Sequence, residues 1–352
     1  MTNTESLVFY LVSFSLIVIL SLIYDYIKKS NLNKMQNIIL IIIFIMLTFI
    51  SGYRYNVGTD FKSYIQMYHD YSYLELCSKY LFKIANNISN DPQTIILLYS
   101  LITNIFTILL LKKISQKENI SLIIASYLFI FFPISFNAIR QSLSISIILY
   151  SLILLKENIK NKIPYFLLIA ACLFHTSALI IFPYLIIILK SKDKKLVKNS
   201  IIFTLSLVIA LLIYFYFLKD IGIIRKIGYL GRFSLNKIDI NLLISYVPFL
   251  IIILLFNKSI SKSRELAMYS CMFISGVILE VLFSSTQVSR IGLYFSIFLI
   301  ILVPELLEKI KDKNSRKIIK TLYYIFLVSY FSFVFYYYGR AEIFPYNNIF
   351  LK

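Results

Sequence analysis

The chain has 352 residues, 59% of them hydrophobic and only 15% charged, with a mean hydropathy of +0.80, which excludes a soluble globular fold. Its net charge of +19 comes mostly from short lysine clusters between apolar runs, at Lys28-Lys29, Lys112-Lys113, Lys156 to Lys162, Lys190 to Lys198 and Lys309 to Lys320. That is the positive-inside pattern of a membrane protein, and it leaves no exposed basic domain to hold a nucleic acid.

Apolar runs long enough to cross a bilayer recur from end to end, so the expected class is an all-α polytopic integral membrane protein, a single domain over 1–352. The first span is expected at about Leu7 to Tyr24 and the second at about Gln36 to Ile50. Basic residues come only after the first apolar run, which argues for an uncleaved first span with its N-terminus outside. Residues 52–92 then read as a long external loop whose middle, Ser63 to Ile84, forms an amphipathic helix at the membrane surface. Asp91-Pro92 signals the start of the next span, about Gln93 to Leu111.

Two shorter runs, Ser121 to Phe132 and Ile139 to Leu155, suit a hairpin with its tip outside near Asn137 and Arg140. Pro164 to Leu189 is long enough for one helix, but one span there would turn every later lysine cluster outward. Two short, partly re-entrant helices turning at Phe174-His175-Thr176-Ser177 keep the charge pattern consistent. The remaining segments are Ser200 to Leu218, Leu242 to Phe256, Leu266 to Phe283, Ile291 to Leu306 and Thr321 to Tyr338, giving roughly twelve in all. The loop 219–241 is predicted external yet basic, with Lys219, Arg225, Lys226, Arg232 and Lys237, and so is suited to an anionic ligand. Cys77, Cys172 and Cys271 give neither a disulfide framework nor a metal-ligand spacing, so no metal and no cofactor is expected.

This topology gathers the unusual polar residues on the outer face: Arg54, Asp60, Arg140, His175, Arg232, Arg290 and Arg340. Ionisable groups at membrane depth are costly and so point to function. Each also has a purely structural reading. Arg140 and Arg290 can snorkel from span ends, Asp60 can cap a helix beginning near Phe61, His175 can serve packing, and Glu280 can pair with an arginine. Arginine's planar fork matches phosphate oxygens, and several together suit a diphosphate leaving group. An imidazole titrates near neutral pH, so His175, or else Asp60, can take a proton from an attacking hydroxyl. No P-loop, Gly-x-Ser-x-Gly elbow or His-Glu-x-x-His helix occurs in the sequence.

Three segments resemble the EpsG family of bacterial exopolysaccharide proteins, related to the Wzy-type O-antigen polymerases. They are Arg54-Tyr55-Asn56-Val57-Gly58-Thr59-Asp60 with Tyr64; Asn137-Ala138-Ile139-Arg140-Gln141-Ser142-Leu143 followed by Phe174-His175-Thr176-Ser177-Ala178-Leu179; and Ser289-Arg290-Ile291 with the terminal Pro345-Tyr346. Most such sequences have Ala where Ser142 and Ser144 stand here. The resemblance implies polymerisation of undecaprenyl-diphosphate-linked oligosaccharide repeat units on the outer face of the bacterial cytoplasmic membrane. It implies donor and acceptor glycolipids as partners, with a chain-length regulator as a further one. Arg54, Arg140, Arg290 and Arg232 would then hold the diphosphate, with His175 and Asp60 as catalytic residues and His175 the favoured base. An O-antigen ligase would use a similar site on another acceptor, a flippase would need an internal cationic cavity, and a membrane O-acyltransferase would not need so many arginines.

Overall fold

Helix boundaries follow the polar punctuation of the chain. In the computed structural model, which describes residues 1–30, 32–116, 118–191, 193–218 and 238–351, α1 spans Asn3–Lys28. Thr2 starts it with a capping box: its side chain accepts from the Glu5 N–H while the Glu5 carboxylate accepts from the Thr2 N–H. Helix α2 covers Asn33–Gly52. The loop after it carries α3 (Phe61–Met67) and α4 (Leu76–Ile88), so the one amphipathic helix expected over Ser63 to Ile84 is two, with a break at 68–75. Asp91 Oδ1 accepts from the Gln93 N–H at 2.9 Å and opens α5 (Gln93–Ile114), as Asp91-Pro92 suggested.

Helix α6 (Ile120–Ser126) continues as a π turn to Phe131; α7 is Ile139–Glu157 and α8 is Ile163–Phe174. A 3-10 turn at Thr176–Ile180 leads into α9 (Ile181–Lys190), and α10 covers Asp193–Ile213. Then come α11 (Ile240–Leu255), α12 (Arg264–Leu282), α13 (Ser289–Ser296), α14 (Leu299–Glu308) and α15 (Lys313–Phe331). Among the described residues, eight helical stretches are long and apolar enough to cross a membrane, and each falls on an expected span. Four shorter apolar helices, Ile120–Phe131, Ile163–Phe174, Thr176–Lys190 and Ile240–Leu255, stand at the other expected positions. The Phe174 to Ser177 turn therefore divides two short helices, as the charge pattern suggested.

The single membrane domain read from the sequence is built of two compact units, residues 1–178 with 318–352, and residues 179–317. In the first, α1 packs on α2 and α6, α2 on α5, and α5 on α7, which in turn packs on α8. An aromatic cluster of Tyr10, Phe14, Phe129, Phe132, Phe136 and Phe331 fills its centre. In the second, α12 packs on α10, α11, α13 and α14. A Cβ on Gly276 would collide with the Ser296 amide, so α12 and α13 touch closely because residue 276 has no side chain.

Candidate active site

Three residues remote in sequence meet around the carboxylate of Glu75, all within the first unit. Glu75 immediately precedes α4 with an extended backbone, where an acidic side chain would usually cap the helix. Its side chain makes no such bond. One oxygen, Oε2, accepts from Arg140 Nη1 at 2.5 Å. The other, Oε1, lies 3.2 Å from His175 Nδ1 and accepts from the Thr176 N–H at 3.3 Å and the Thr176 hydroxyl at 3.5 Å. The partners stand 65 and 100 residues along the chain from Glu75.

Local structure explains why they converge. Arg140 occupies the first turn of α7, where the helix dipole disfavours a cation. A carboxylate beside it offsets that cost. His175 ends α8 in an extended conformation (φ −155°, ψ 112°), its N–H still donating to the Ala171 carbonyl at 3.0 Å, and the ring swings off the helix axis. A hydroxyl chain joins the elements: Tyr99 donates to Ser78 Oγ at 2.8 Å, and Ser78 donates to the Phe174 carbonyl at 2.8 Å. Ser144 donates to the Ala171 carbonyl at 2.9 Å, tying α7 to α8. Tyr64, from α3, also interacts with Arg140.

The electrostatics set a tautomer. Burial would raise the Glu75 carboxyl, but the His175 hydrogen bond and the Arg140 charge outweigh it and hold the group down at about 2. An ionised carboxylate only accepts, so His175 Nδ1 carries the proton toward it. In the neutral ring Nε2 then has a lone pair, and it makes no hydrogen bond among the described residues. The side chains of Arg140, Glu75 and His175 keep 17%, 14% and 25% of their surface open.

Arg54, 1% exposed, lies in the same unit, and Tyr64 interacts with it as well as with Arg140. Its two terminal nitrogens donate to the Ser51 carbonyl and, at 2.8 Å, to the Phe136 carbonyl, and Cζ sits 4.9 Å from the centre of the Phe136 ring. Nε is buried without a hydrogen-bond partner, and Arg54 lines a small cavity with Ser51, Tyr99, Asn104 and Ser135. Around Arg54 the start of the 52–92 loop, residues 53–58, is tied to the tail of the chain. Tyr55 donates to the Asn347 carbonyl at 2.8 Å, Ile349 to the Tyr53 carbonyl at 3.0 Å, and Gly58 to the Glu342 carbonyl at 3.1 Å. Gly58 has φ +91°, and a Cβ there would collide with Asn137 Oδ1, so this loop requires glycine on both counts.

Asp60 precedes α3 without a side-chain cap bond and accepts from the Thr59 hydroxyl at 3.3 Å. Arg290 belongs to the second unit, in the first turn of α13. Arg340 opens a short 3-10 turn in the tail, and Arg232, with most of the basic loop 219–241, falls outside the described residues. Glu280, 2% exposed, accepts from the Ser296 hydroxyl and, at 2.8 Å, from the Tyr246 hydroxyl.

Sequence reasoning singled out Arg140 and His175, which the structure brings together, and missed Glu75 between them. The available signal was a carboxylate at the polar edge of an otherwise acid-free helix, Leu76–Ile88. No curated protein and no solved structure matches the chain. The model of the EpsG family matches residues 37–348, a stretch that contains Glu75, Arg140 and His175 together with Arg54 and its carbonyl partners Ser51 and Phe136. That match covers nearly the whole sequence, and the chain therefore belongs to the EpsG family, a family of Wzy-like polysaccharide polymerases.

Proposed function

We propose that this protein is a membrane glycosyltransferase that polymerises oligosaccharide repeat units carried on undecaprenyl diphosphate, at the outer face of the cytoplasmic membrane. The observation that carries the reading is the Glu75–His175 pair with Arg140 on the same carboxylate, in a chain of this family. A base with one ring nitrogen oriented by a carboxylate and the other unbonded is the arrangement that general-base catalysis requires. We take the four shorter apolar helices as membrane segments beside the eight long ones, which gives roughly twelve and keeps the lysine clusters on the cytoplasmic side.

In the reaction, a hydroxyl of the acceptor repeat unit attacks the anomeric carbon of the donor glycan. The new C–O bond forms as the bond from that carbon to the diphosphate oxygen breaks, and undecaprenyl diphosphate leaves with the electron pair. The hydroxyl proton passes to His175 Nε2. Arg140 stabilises the negative charge gathering on the diphosphate, the kind of preorganised electrostatics that lowers barriers most. His175 is favoured over Asp60 as base because its ring is held by Glu75, whereas the Asp60 carboxylate meets the Thr59 hydroxyl.

Deleting the gene and separating surface glycan and lipid-linked intermediates by size tests the reading. Loss of long chains with accumulation of single repeat units at the outer face is expected. An unchanged length distribution rejects the polymerase, and units trapped facing the cytoplasm point to a flippase.

A further inference from the structure

Helix α4 has three sectors rather than two. Ser78, Leu81, Phe82 and Ala85 are buried against the first unit, where α4 packs on α5 and α8. Leu76, Tyr80, Ile84 and Ile88 recur every fourth residue and are 50% to 64% exposed. At 3.6 residues per turn, each step of four advances the stripe by about 40°, so it fans over about 120° of the helix. Lys79 and Lys83 fall beside it, and the helix contains no acid.

We infer that this stripe is a membrane-docking face, seated in the headgroup–acyl boundary of a leaflet containing anionic phospholipid. A helix of 13 residues is about 20 Å long, too short to cross a bilayer of about 30 Å and suited to lying in its surface. Four large apolar side chains on one open face would be an anomaly in water. The boundary region takes up such a face, and lysines at its edge meet lipid phosphates. The absence of acids gives the charge complementarity one sign. In a chain without tryptophan, Tyr80 serves as the amphipathic aromatic at the interface. Glu75, one residue ahead of the helix, is then held at the depth of the headgroups.

The missing tryptophan also makes the test clean, because a single introduced indole is the only one in the full chain. Tyr80→Trp and Ile84→Trp are made separately and the intact protein is reconstituted in phosphatidylcholine vesicles with and without phosphatidylglycerol. Bromine placed near the ester end of the acyl chains should quench the indole at least about twofold more than bromine near the methyl end, since such helices sit only ~5–10 Å deep. Iodide in the water should quench it little. An indole quenched by iodide and untouched by bromolipid places the stripe in water and overturns the inference. An indole shielded from both means that protein covers the stripe, whether a second copy or another partner, and overturns it equally. Replacing Lys79 and Lys83 together with Gln should weaken the dependence of quenching on phosphatidylglycerol; an unchanged dependence removes anionic lipid from the proposal.

Discussion

Glu75 serves Arg140 with one carboxylate oxygen and both His175 and Thr176 with the other, and this division is what makes its role separable from a structural ion pair. Glu75→Gln keeps the shape, removes the charge and no longer imposes the Nδ1–H tautomer. Turnover of purified protein should fall roughly 100-fold or more. Stability has its own signature. The carboxyl lies at about 2 against an ordinary value of 4.5, so its contribution is present above the ordinary value and lost as pH falls through about 2. The melting-temperature difference between wild type and Glu75→Gln should hold from neutral pH to about 5 and close only toward pH 2. Arg140 and His175 were legible in the sequence because each interrupts an apolar context. Glu75 was not, because its partners come from α7 and the end of α8, and its neighbours read as an amphipathic pattern.

At the scale of elements, the loop at residues 53–58 is a joint rather than a free loop. Arg54 holds the end of α2 and the turn before α7 through two carbonyls, while the tail lies across the loop in short backbone pairing. Tyr346 reinforces it, donating to the Ile50 carbonyl at 3.1 Å and stacking on Phe9 at 4.5 Å. Replacing Arg54 with Gln strands both carbonyls in a buried site, at about 1–3 kcal/mol each. The expected result is a lower melting temperature and faster proteolysis near Gly339. Arg54→Lys should not restore either, since an ammonium lacks the fork that reaches both carbonyls. Sequence offered Arg54 as a diphosphate ligand because arginine at a span exit suggests an anion. Its carbonyl partners have no side-chain signature, so only the folded chain reveals them.

For the whole molecule, hydropathy and lysine spacing carried the architecture. All eight long helices fall where apolar runs end in basic turns or polar caps. The division into two units left no trace in the composition, because lipid-facing and buried helices are equally apolar. The sidedness proposed for the site rests on the same lysines and can be measured. With Cys77, Cys172 and Cys271 replaced, Thr176→Cys should react with an impermeant thiol reagent from the outer side only. Labelling from the cytoplasmic side alone would place the site on the wrong face for external polymerisation.

The pairing of residues 53–58 with residues 342–349 also sets a timetable. A ribosome adding about 5–20 residues per second needs roughly 15–60 seconds to travel from one segment to the other. Through that interval the loop bearing Arg54 has already left the ribosome while the tail that ties it does not yet exist. The joint is therefore completed only after residues 342–349 are made, and until then the nascent chain carries the Arg54 loop untied.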